Sequence, residues 1–346
     1  MASAAVDIAH GGTAAAMREG SLPSEVISIQ QIQALGVNAA DIKKLTDTGI
    51  HTIGQLLQMP VRKLLLVKGL SEAKVEKIRE AAKKLGGEKG SFRSAIDVLR
   101  ADESRIRITT GSKELDAVLG GGIETGSLTE VFGEFRTGKT QLCHTLSVTS
   151  QLDAEQGGGM GRVIVIDTEG SYRPERVAKI AEARFGLDPT SVLDNIRVAR
   201  IYNVDDQIDS NFAIAAMLAE EEEPTRLIIV DSVMNLFRTD YCGRGELAER
   251  QQRLNQYLGG LKKIAEEFAV AVVLVNQVTA NPDSTFAGAD AKKPIGGHVL
   301  AHASTVRVYL RKGKGEQRIA KIYDSPTMPE ADAVFALAEG GVVDAE

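Results

Sequence analysis

Four short apolar runs divide the longer, carboxyl-terminal part of the chain, and each has the length of a β-strand. They cover residues 128–132, 163–166, 227–230 and 270–275. Runs that are apolar throughout are typical of strands buried on both faces of a parallel sheet. Helix-like patterns separate the runs. The order of elements therefore predicts an α/β fold, with a mostly parallel sheet flanked by helices.

The amino-terminal quarter has a different pattern, which predicts a separate unit made only of helices. The length of 346 residues, 43% of them apolar, is enough for more than one domain. The first residues are rich in alanine and glycine and lack the basic start and apolar core of a secretory signal. A glycine-rich stretch at 86–91 marks a boundary. We expect a disordered tail over 1–24, an all-α domain over 25–85, a linker over 86–104 and the α/β core over 105–346.

Two further features of the composition limit the possible partners and compartments. No run approaches the roughly 18 apolar residues of a membrane-spanning helix, so no membrane partner is expected. The two cysteines, Cys143 and Cys242, have no metal-type spacing and are too few for a disulfide framework, which suits a reducing compartment. We expect Cys143 to pack within a helix.

One glycine-rich stretch, between the first apolar run and a helix-like run that begins near Gln141, fits the phosphate-binding loop pattern. In such a loop the glycines let backbone N–H groups close on phosphates, the lysine reaches the β and γ oxygens, and the hydroxyl holds magnesium. The alternative, an ordinary glycine-rich turn, is weak beside a strand and a helix in the right places. The predicted nucleotide loop comprises Gly133, Glu134, Phe135, Arg136, Thr137, Gly138, Lys139 and Thr140.

Carboxylates follow two of the other apolar runs, where phosphoryl transfer needs a magnesium ligand and a group that activates water. Asp231 ends the third run, at the carboxyl edge of a parallel sheet, and we predict that it helps Thr140 to hold magnesium. Asp167 and Glu169 follow the second run, and we assign Glu169 as the water-activating base. The alternative is that Asp167 or Glu169 only caps the helix beginning near Pro174.

The formal net charge is −6, but the amino-terminal quarter contains a basic region. Between Asp41 and Lys84 there are ten basic and five acidic residues. Residues 67–71, followed by a helical run over 72–85, resemble the hairpin of a helix-hairpin-helix module. There, a glycine permits the turn and the helix start offers N–H groups to a DNA phosphate. The alternative is a solvated basic helix face on a protein-interaction domain.

Phe92 and Ala95 lie three positions apart just outside the predicted core. On spacing alone, such a pair belongs more often to the local core than to a docking segment. Both interpretations stay open on the residues alone.

Longer strings make the chain similar to the eukaryotic RecA-type DNA strand-exchange recombinases. The resemblance extends over nearly everything after residue 25 and implies a RecA-like P-loop ATPase core with a helix-hairpin-helix domain. Residues 247–252 and 297–300 look more like the meiosis-specific branch of that family, and so does Pro282, whereas Asp283 fits the general branch better. The strings that carry the resemblance are residues 133–140, 166–170, 238–252, 292–298, 301–305 and 322–326.

The resemblance implies roles for residues that spacing alone does not assign. Phe92 and Ala95 match a polymerisation motif that inserts into the next subunit, and His302 matches a residue at that interface. Arg176 matches an arginine that packs on adenine. Gln277 matches a sensor that links the γ-phosphate to the second DNA loop. Residues 324–329, including Asp324 and Pro329, match a cap laid over the neighbouring subunit's ATP.

The resemblance also implies two DNA-contacting loops and a further basic turn. Arg238, Tyr241, Arg244 and Arg250 belong to the first loop and the helix after it. Residues 280–294 form the second, a long stretch without periodic pattern, which is typical of a functional loop. The remaining predicted DNA contacts are Lys292, Lys293, Gly296, Gly297, Arg311, Lys312 and Arg318.

Together these features predict an ATP- and Mg²⁺-dependent, nuclear recombinase that assembles with itself into a ring or filament. Its expected partners are single- and double-stranded DNA and accessory proteins of recombination. Two alternatives from the same core are a non-filamentous recombination mediator and a ring-forming helicase, and the general branch remains an alternative to the meiotic one. Ser171, Tyr172 and a slightly shortened second loop depart from the family pattern and put the geometry of the DNA loops in question.

Overall fold

The computed structural model describes residues 26–86, 92, 94–243, 245–280 and 292–345, apart from the side chains of Ala280 and Lys292. The predicted tail, residues 87–91 and 93 of the linker, Arg244 and residues 281–291 of the second loop lie outside the described residues.

The amino-terminal part is built from helices, as predicted. A glycine turn precedes the last of them, with Gly69 at φ 81°. The helices enclose their own apolar cluster, in which Ile32, Leu45 and Leu56 are fully buried. Toward the rest of the chain, the Thr52 hydroxyl donates a hydrogen bond to Glu267 Oε1 at 3.1 Å. The elements are a 3-10 helix (Ile29–Leu35), α1 (Ala39–Thr46), α2 (Ile53–Gln58), α3 (Val61–Leu64) and α4 (Glu72–Gly86).

The remaining helices alternate with strands in the order expected of an α/β fold. The helices are α5 (Ala95–Glu103), α6 (Lys113–Val118), α7 (Lys139–Thr149), α8 (Pro174–Phe185), α9 (Pro189–Asp194), α10 (Val204–Glu220), α11 (Asn235–Thr239), α12 (Leu247–Phe268) and α13 (Gly297–Ala303), with a 3-10 turn at Ala154–Gln156. The strands are β1 (Arg107–Ile108), β2 (Ile123–Glu124), β3 (Leu128–Gly133), β4 (Arg162–Asp167), β5 (Ile196–Arg200), β6 (Thr225–Asp231), β7 (Ala271–Asn276), β8 (Val278–Ala280), β9 (Lys292–Pro294), β10 (Val306–Lys312), β11 (Gln317–Asp324), β12 (Asp332–Ala338) and β13 (Gly341–Asp344).

Nine of these strands form one sheet in the order β13-β12-β11-β10-β3-β7-β6-β4-β5. The pairs from β10 through β3, β7, β6 and β4 to β5 are parallel, and the last three strands of the chain continue from β10 in antiparallel pairs. The four strands predicted from apolar runs are β3, β4, β6 and β7, displaced by at most two residues at either end. They lie side by side in the centre, so the prediction of a mostly parallel sheet is confirmed.

Both faces of the central strands are covered by apolar clusters, because successive side chains point to opposite faces. Val165 and Ile229 belong to one cluster, which also includes Cys143 on α7, packed as predicted. Ile164 and Ile228, one residue earlier on the same strands, belong to the other cluster. Continuous apolar runs are what a strand buried on both faces requires.

The segment that leads into the core makes little contact with it. Phe92 is fully exposed, and α5 buries none of its residues, including Ile96 and Leu99. The interpretation of Phe92 and Ala95 as local core residues is therefore wrong for this chain. Large apolar side chains left in water are typical of a surface that binds another protein.

The second loop differs in part from its prediction as a stretch without regular structure. Its two ends form a short antiparallel pair, with Thr279 opposite Lys293 and Val278 opposite Pro294. The paired residues form a two-stranded base at the two ends of the predicted loop. Within the described ranges, every helix is too short or too polar to cross a membrane.

The burial of α12 against the sheet predicts how two of its leucines respond to truncation. Leu261 is fully buried, whereas Leu247, in the same helix, is 54% exposed. We expect Leu261→Ala to lower the free energy of unfolding by roughly 2–5 kcal/mol, because a cavity adds to the lost apolar burial. Leu247→Ala, the matched control, should change it by about 0.5 kcal/mol or less. Urea denaturation followed by circular dichroism measures both, and equal shifts would contradict the described packing of α12.

Candidate active site

The predicted nucleotide loop connects the end of β3 to the start of α7 in a tight curve. A Cβ atom at Gly133 would lie 2.4 Å from the carbonyl oxygen of Leu310, and Gly138 has φ +98°. The Thr137 hydroxyl donates to the Glu134 carbonyl at 2.9 Å and closes the turn. The path of the loop therefore requires both glycines. It leaves the first N–H groups of α7 facing a concave surface, an arrangement suited to phosphate.

Lys139, the first residue of α7, folds its ammonium group back into this loop. Nζ donates to the carbonyls of Gly133 at 2.9 Å and Glu134 at 2.7 Å. Burial lowers the pKa of Lys139, and the nearby carboxylates of Asp231 and Glu169 oppose that shift. The charge is thus held within the concave surface, where an anionic ligand would meet it.

Thr140 and Asp231 meet at the next position of the site. Thr140 Oγ1 donates to Asp231 Oδ2 at 2.9 Å, and Ser171 Oγ lies 3.3 Å from the same oxygen. Burial raises the pKa of Asp231 to about 6, with Glu169 and Asp167 adding to the shift and the hydrogen bonds of Thr140 and Ser171 opposing it. A hydroxyl and a buried carboxylate are the hard oxygen ligands that Mg²⁺ prefers. The residues therefore fit the predicted metal.

Asp167 and Glu169, which the sequence could not distinguish, have different surroundings. The carboxylate of Asp167 accepts N–H donors from the turn before α8, including those of Glu169 at 3.0 Å and Gly170 at 2.6 Å. Glu169 instead accepts from Ser232 Oγ at 2.8 Å and from Gln277 Nε2 at 2.9 Å. Asp167 therefore holds the turn before α8 but does not cap that helix, whose N-terminus has no side-chain cap, whereas the carboxylate of Glu169 points to the site.

Gln277 follows β7 and connects Glu169 to the first predicted DNA loop. Its Oε1 atom lies 3.5 Å from Nη1 of Arg238, which is in the last turn of α11. One cleft of about 560 Å³ is lined by all eight residues of the nucleotide loop together with Glu169, Asp231 and Gln277. The nucleotide loop and the predicted metal and catalytic residues thus line one cavity.

Arg176 lies beside this cleft, on α8. Its Nε donates to Gln141 Oε1 at 2.8 Å, and its terminal nitrogens donate to the carbonyls of Glu339 at 2.5 Å and Ala338 at 2.6 Å. Burial lowers the pKa of Arg176. These bonds fix the plane of the guanidinium next to α7, which contains Gln141. Its predicted contact with adenine stays a prediction.

Asp324 and Pro329 lie away from the nucleotide loop of their own chain. Asp324 pairs with Arg307, whereas Gly133 of the loop pairs with Leu310, three residues further along β10. That separation is about 10 Å along the strand, and β11 is two strands from β3. Asp324 and Pro329 are exposed. Their approach to the ATP of an adjacent subunit stays a prediction.

The residues predicted to bind DNA fall into two groups. Arg250, Gly296 and Gly297 line one cleft of about 200 Å³ between α12 and α13. Arg238 and Lys293 are exposed, and Tyr241 packs partly against the second apolar cluster. Arg311, Lys312 and Arg318 instead occupy the hairpin of β10 and β11, where Arg311 forms an ion pair with Asp332 at 3.3 Å.

Arg318 is closer to the nucleotide loop than to the first group, since its Cγ would lie 3.7 Å from a Cβ atom at Gly138. His302 is exposed on α13, with its ring centroid 6.1 Å from that of His298. Neither position tests the predicted role, so DNA contact by Arg318 and the interface role of His302 stay predictions.

Sequence reasoning missed three polar residues around the site: Ser232, Asn276 and Glu130. Ser232 donates to Glu169, and Asn276 accepts from the N–H of Gln277 at 2.8 Å. Glu130 interrupts the first apolar run of the chain. A lone acid inside a buried strand was the available signal, because a buried charge needs a partner.

Comparison with known proteins supports the resemblance to RecA-type strand-exchange recombinases that the sequence strings indicate. Residues 101–345 match the family model described as Rad51, and residues 28–84 match the SAM-like helix-hairpin-helix tandem. The chain is 56% identical over 319 residues to a meiotic recombination protein DMC1 homolog of Lilium longiflorum, covering 92% of this chain and 90% of that protein.

Two fungal proteins are similar over almost their whole length. The chain is 52% identical to meiotic recombination protein DMC1 of Saccharomyces cerevisiae, covering 92% of this chain and 95% of that protein. It is also 52% identical to meiotic recombination protein DLH1 of Candida albicans, covering 94% of this chain and all of that protein. These matches confirm the resemblance and the RecA-like fold with its helix-hairpin-helix domain. The chain belongs to the Rad51 family.

Proposed function

We propose that this protein is an ATP-dependent DNA strand-exchange recombinase that assembles on single-stranded DNA and pairs it with a homologous duplex in meiosis. The observation that carries the proposal is the contact series from Glu169 to Gln277 and on to Arg238. It links the nucleotide cleft to a segment predicted to bind DNA. The similarity to proteins named meiotic recombination proteins supports the biological setting.

Hydrolysis of ATP is assigned to the residues that line the cleft. When bound, ATP supplies the phosphoanhydride bond and magnesium supplies positive charge beside it. Lys139 and the N–H groups at the start of α7 would hold the phosphates, while Thr140 and Asp231 would hold the metal. Glu169 takes the proton of the attacking water, and Ser232 and Gln277 fix the direction of its carboxylate.

Assembly and DNA binding are assigned to surfaces outside this cleft. Phe92 and Ala95 lie on an exposed segment and are proposed to dock into the next subunit, with His302 at the same interface. Asp324 and Pro329 are proposed to cover that subunit's ATP, and Arg176 to stack on the adenine of its own. Arg238, Arg250 and the base of the second loop are proposed to hold DNA, mainly through its phosphates.

The wider setting follows from this activity. A recombinase acts on chromosomes, so we propose a nuclear location and accessory proteins that load and remove the assembly. Four predicted units, namely a tail, a helix-hairpin-helix domain, a linker and an ATPase core, are proposed with boundaries at about residues 24, 85 and 104. The basic charge of the second unit supports a role in DNA binding.

Joint-molecule formation tests the proposal and the role of Glu169 together. With ATP and magnesium, the wild type should join circular single-stranded DNA to a homologous linear duplex. Glu169→Gln should bind ATP but hydrolyse it about 10²–10⁴ times more slowly, because an amide cannot accept the proton. Glu175→Gln, an exposed neighbour in the first turn of α8, is the matched control and should retain full turnover.

Wild-type protein that binds ATP and DNA without forming joints would instead favour the recombination mediator. Processive duplex unwinding would favour the helicase.

The lysine of the nucleotide loop gives a second prediction. Lys139→Arg keeps the positive charge but replaces a compact ammonium by a planar guanidinium, which cannot occupy the same space inside the loop. We expect ATP turnover to fall at least about tenfold, while assembly on DNA in the presence of ATP is retained. Filter binding and phosphate release measure the two properties. Unchanged turnover would contradict the assignment of Lys139.

The exposed linker gives a third prediction. Phe92→Glu places a charge where an apolar pocket of the next subunit is expected, and burying that charge unpaired is costly. The variant should remain folded and monomeric in size-exclusion chromatography with light scattering. Val61→Glu, at an apolar residue that is also exposed, should assemble as the wild type does. Normal assembly of Phe92→Glu would exclude Phe92 from the interface.

A further inference from the structure

Three polar side chains meet in the centre of the sheet, on three neighbouring strands. Glu130 on β3, Arg307 on β10 and Asn276 at the end of β7 are all buried, with Glu130 and Asn276 at 0% exposure. In the sheet, β3 pairs with β10 on one side and with β7 on the other. The cluster, here called the Glu130 network, therefore crosses three strands beneath the nucleotide loop.

Both oxygens of Glu130 accept hydrogen bonds from nitrogen donors. Oε2 accepts from Arg307 Nε at 2.6 Å, and Oε1 accepts from Asn276 Nδ2 at 2.7 Å. Burial raises the pKa of Glu130, and the charge and hydrogen bond of Arg307 oppose that shift. The 2.6 Å contact with a guanidinium that stays charged fits an ionised carboxylate. The network thus depends on a charge that has been removed from water.

Asn276 extends the network to the sensor and to the base of the second loop. Its Nδ2 also donates to the carbonyl of Ile295 at 2.7 Å, and its Oδ1 accepts the N–H of Gln277 at 2.8 Å. The N–H of Ile295 donates in turn to the carbonyl of Gln277 at 3.0 Å. One amide therefore contacts both residues that flank the base of the β8–β9 pair and sets the backbone from which Gln277 reaches Glu169.

Arg307 extends the network in the other direction, to the surface. Its guanidinium lies over the rings of Phe132, at 5.5 Å, and Tyr323, at 5.3 Å. Tyr323 is 43% exposed and precedes Asp324, which is proposed to face the adjacent subunit. A displacement of that strand end would change the aromatic contacts of Arg307 and hence its bond to Glu130.

The stability of the fold does not by itself require such a network. Replacing a buried ion pair by apolar residues of similar volume is often neutral or stabilising, whereas removing only one partner is strongly destabilising. On one side of β3, strand β7 is apolar and buried from residue 271 to residue 275. The presence of a charged network at this place therefore needs another explanation, and its contacts near Gln277 and Tyr323 suggest one.

We propose that Glu130 is a positioning residue of the ATPase, which holds Gln277 toward Glu169 through Asn276 and connects it through Arg307 to the subunit-facing end of β11. The inference rests on the proposed function, since it assigns Glu130 to the coupling between DNA, the neighbouring subunit and ATP turnover. Glu130 does not touch the nucleotide cleft itself.

The first test is Glu130→Gln, measured as ATP turnover with and without an oligothymidylate strand. The new amide offers only one acceptor, so one of the bonds from Arg307 or Asn276 is lost. We expect DNA-stimulated kcat to fall about tenfold, while KM for ATP changes less than twofold, because an interaction made only in the transition state has been weakened. Arg307→Lys should reduce the stimulation in the same direction.

Two variants separate coupling from stability. Val131→Ala, on the same strand but in the opposite apolar cluster, should lower Tm and leave the DNA stimulation unchanged. The double variant Glu130→Met/Arg307→Met removes both charges, so it should keep a Tm near that of the wild type and still lose the stimulation. It therefore decides the question even if Glu130→Gln does not fold.

Wild-type stimulation in the folded double variant would overturn the inference and leave the proposed function standing. A fall in stimulation with Val131→Ala in proportion to Tm would also overturn it, because stability alone would then explain the effect. A wild type that hydrolyses no ATP with DNA present would refute the proposed function itself, together with this inference.

Discussion

The parallel register of four central strands is the constraint on which the rest of the structure depends. Backbone pairing places Asp167 opposite Asp231, Asp231 opposite Val275, and Phe132 opposite Asn276. Neighbouring strands are about 4.8 Å apart, so groups at their carboxyl ends are within one side-chain length of each other. The nucleotide loop, the metal ligands and Gln277 come from distant parts of the sequence, and this register alone brings them into one cleft.

The same constraint explains which elements could be predicted from the sequence. Strands β3, β4, β6 and β7 are buried on both faces, so each leaves a mainly apolar run, which in β3 is interrupted by Thr129 and Glu130. Strand β5 and strands β11 to β13 lie toward the edges, and polar residues interrupt their patterns, as in the largely exposed Ile196–Arg200. Their pairing is decided by contacts with the rest of the sheet. Helix α5 buries nothing in its own chain, so amphipathic periodicity could not assign it to a core.

The site residues also divide into those that the sequence identifies and those that only the folded structure identifies. The nucleotide loop was recognisable because glycine, lysine and threonine at fixed spacing serve a defined chemistry. Asp167 and Glu169 could not be separated, since both follow the same strand and only the turn geometry shows which carboxylate accepts its N–H groups. Glu130 was visible as a single acid in an apolar run, but its partners lie 146 and 177 residues away. Only the folded sheet brings Glu130 into contact with these two distant residues.

The residues predicted to bind the nucleotide lie in two places on one chain. The cleft contains the nucleotide loop, whereas Asp324 and Pro329 are exposed, and Asp324 lies about 10 Å along the strand direction from Gly133. In the proposed assembly, Asp324 and Pro329 would cover the ATP of the adjacent subunit, so the nucleotide would be part of the contact between subunits. The Glu130 network then has a physical rationale. A charge buried between β10 and β7 would join the surface proposed to meet one neighbour to the residues proposed to act on the chain's own ATP, since a close-packed interior transmits strain.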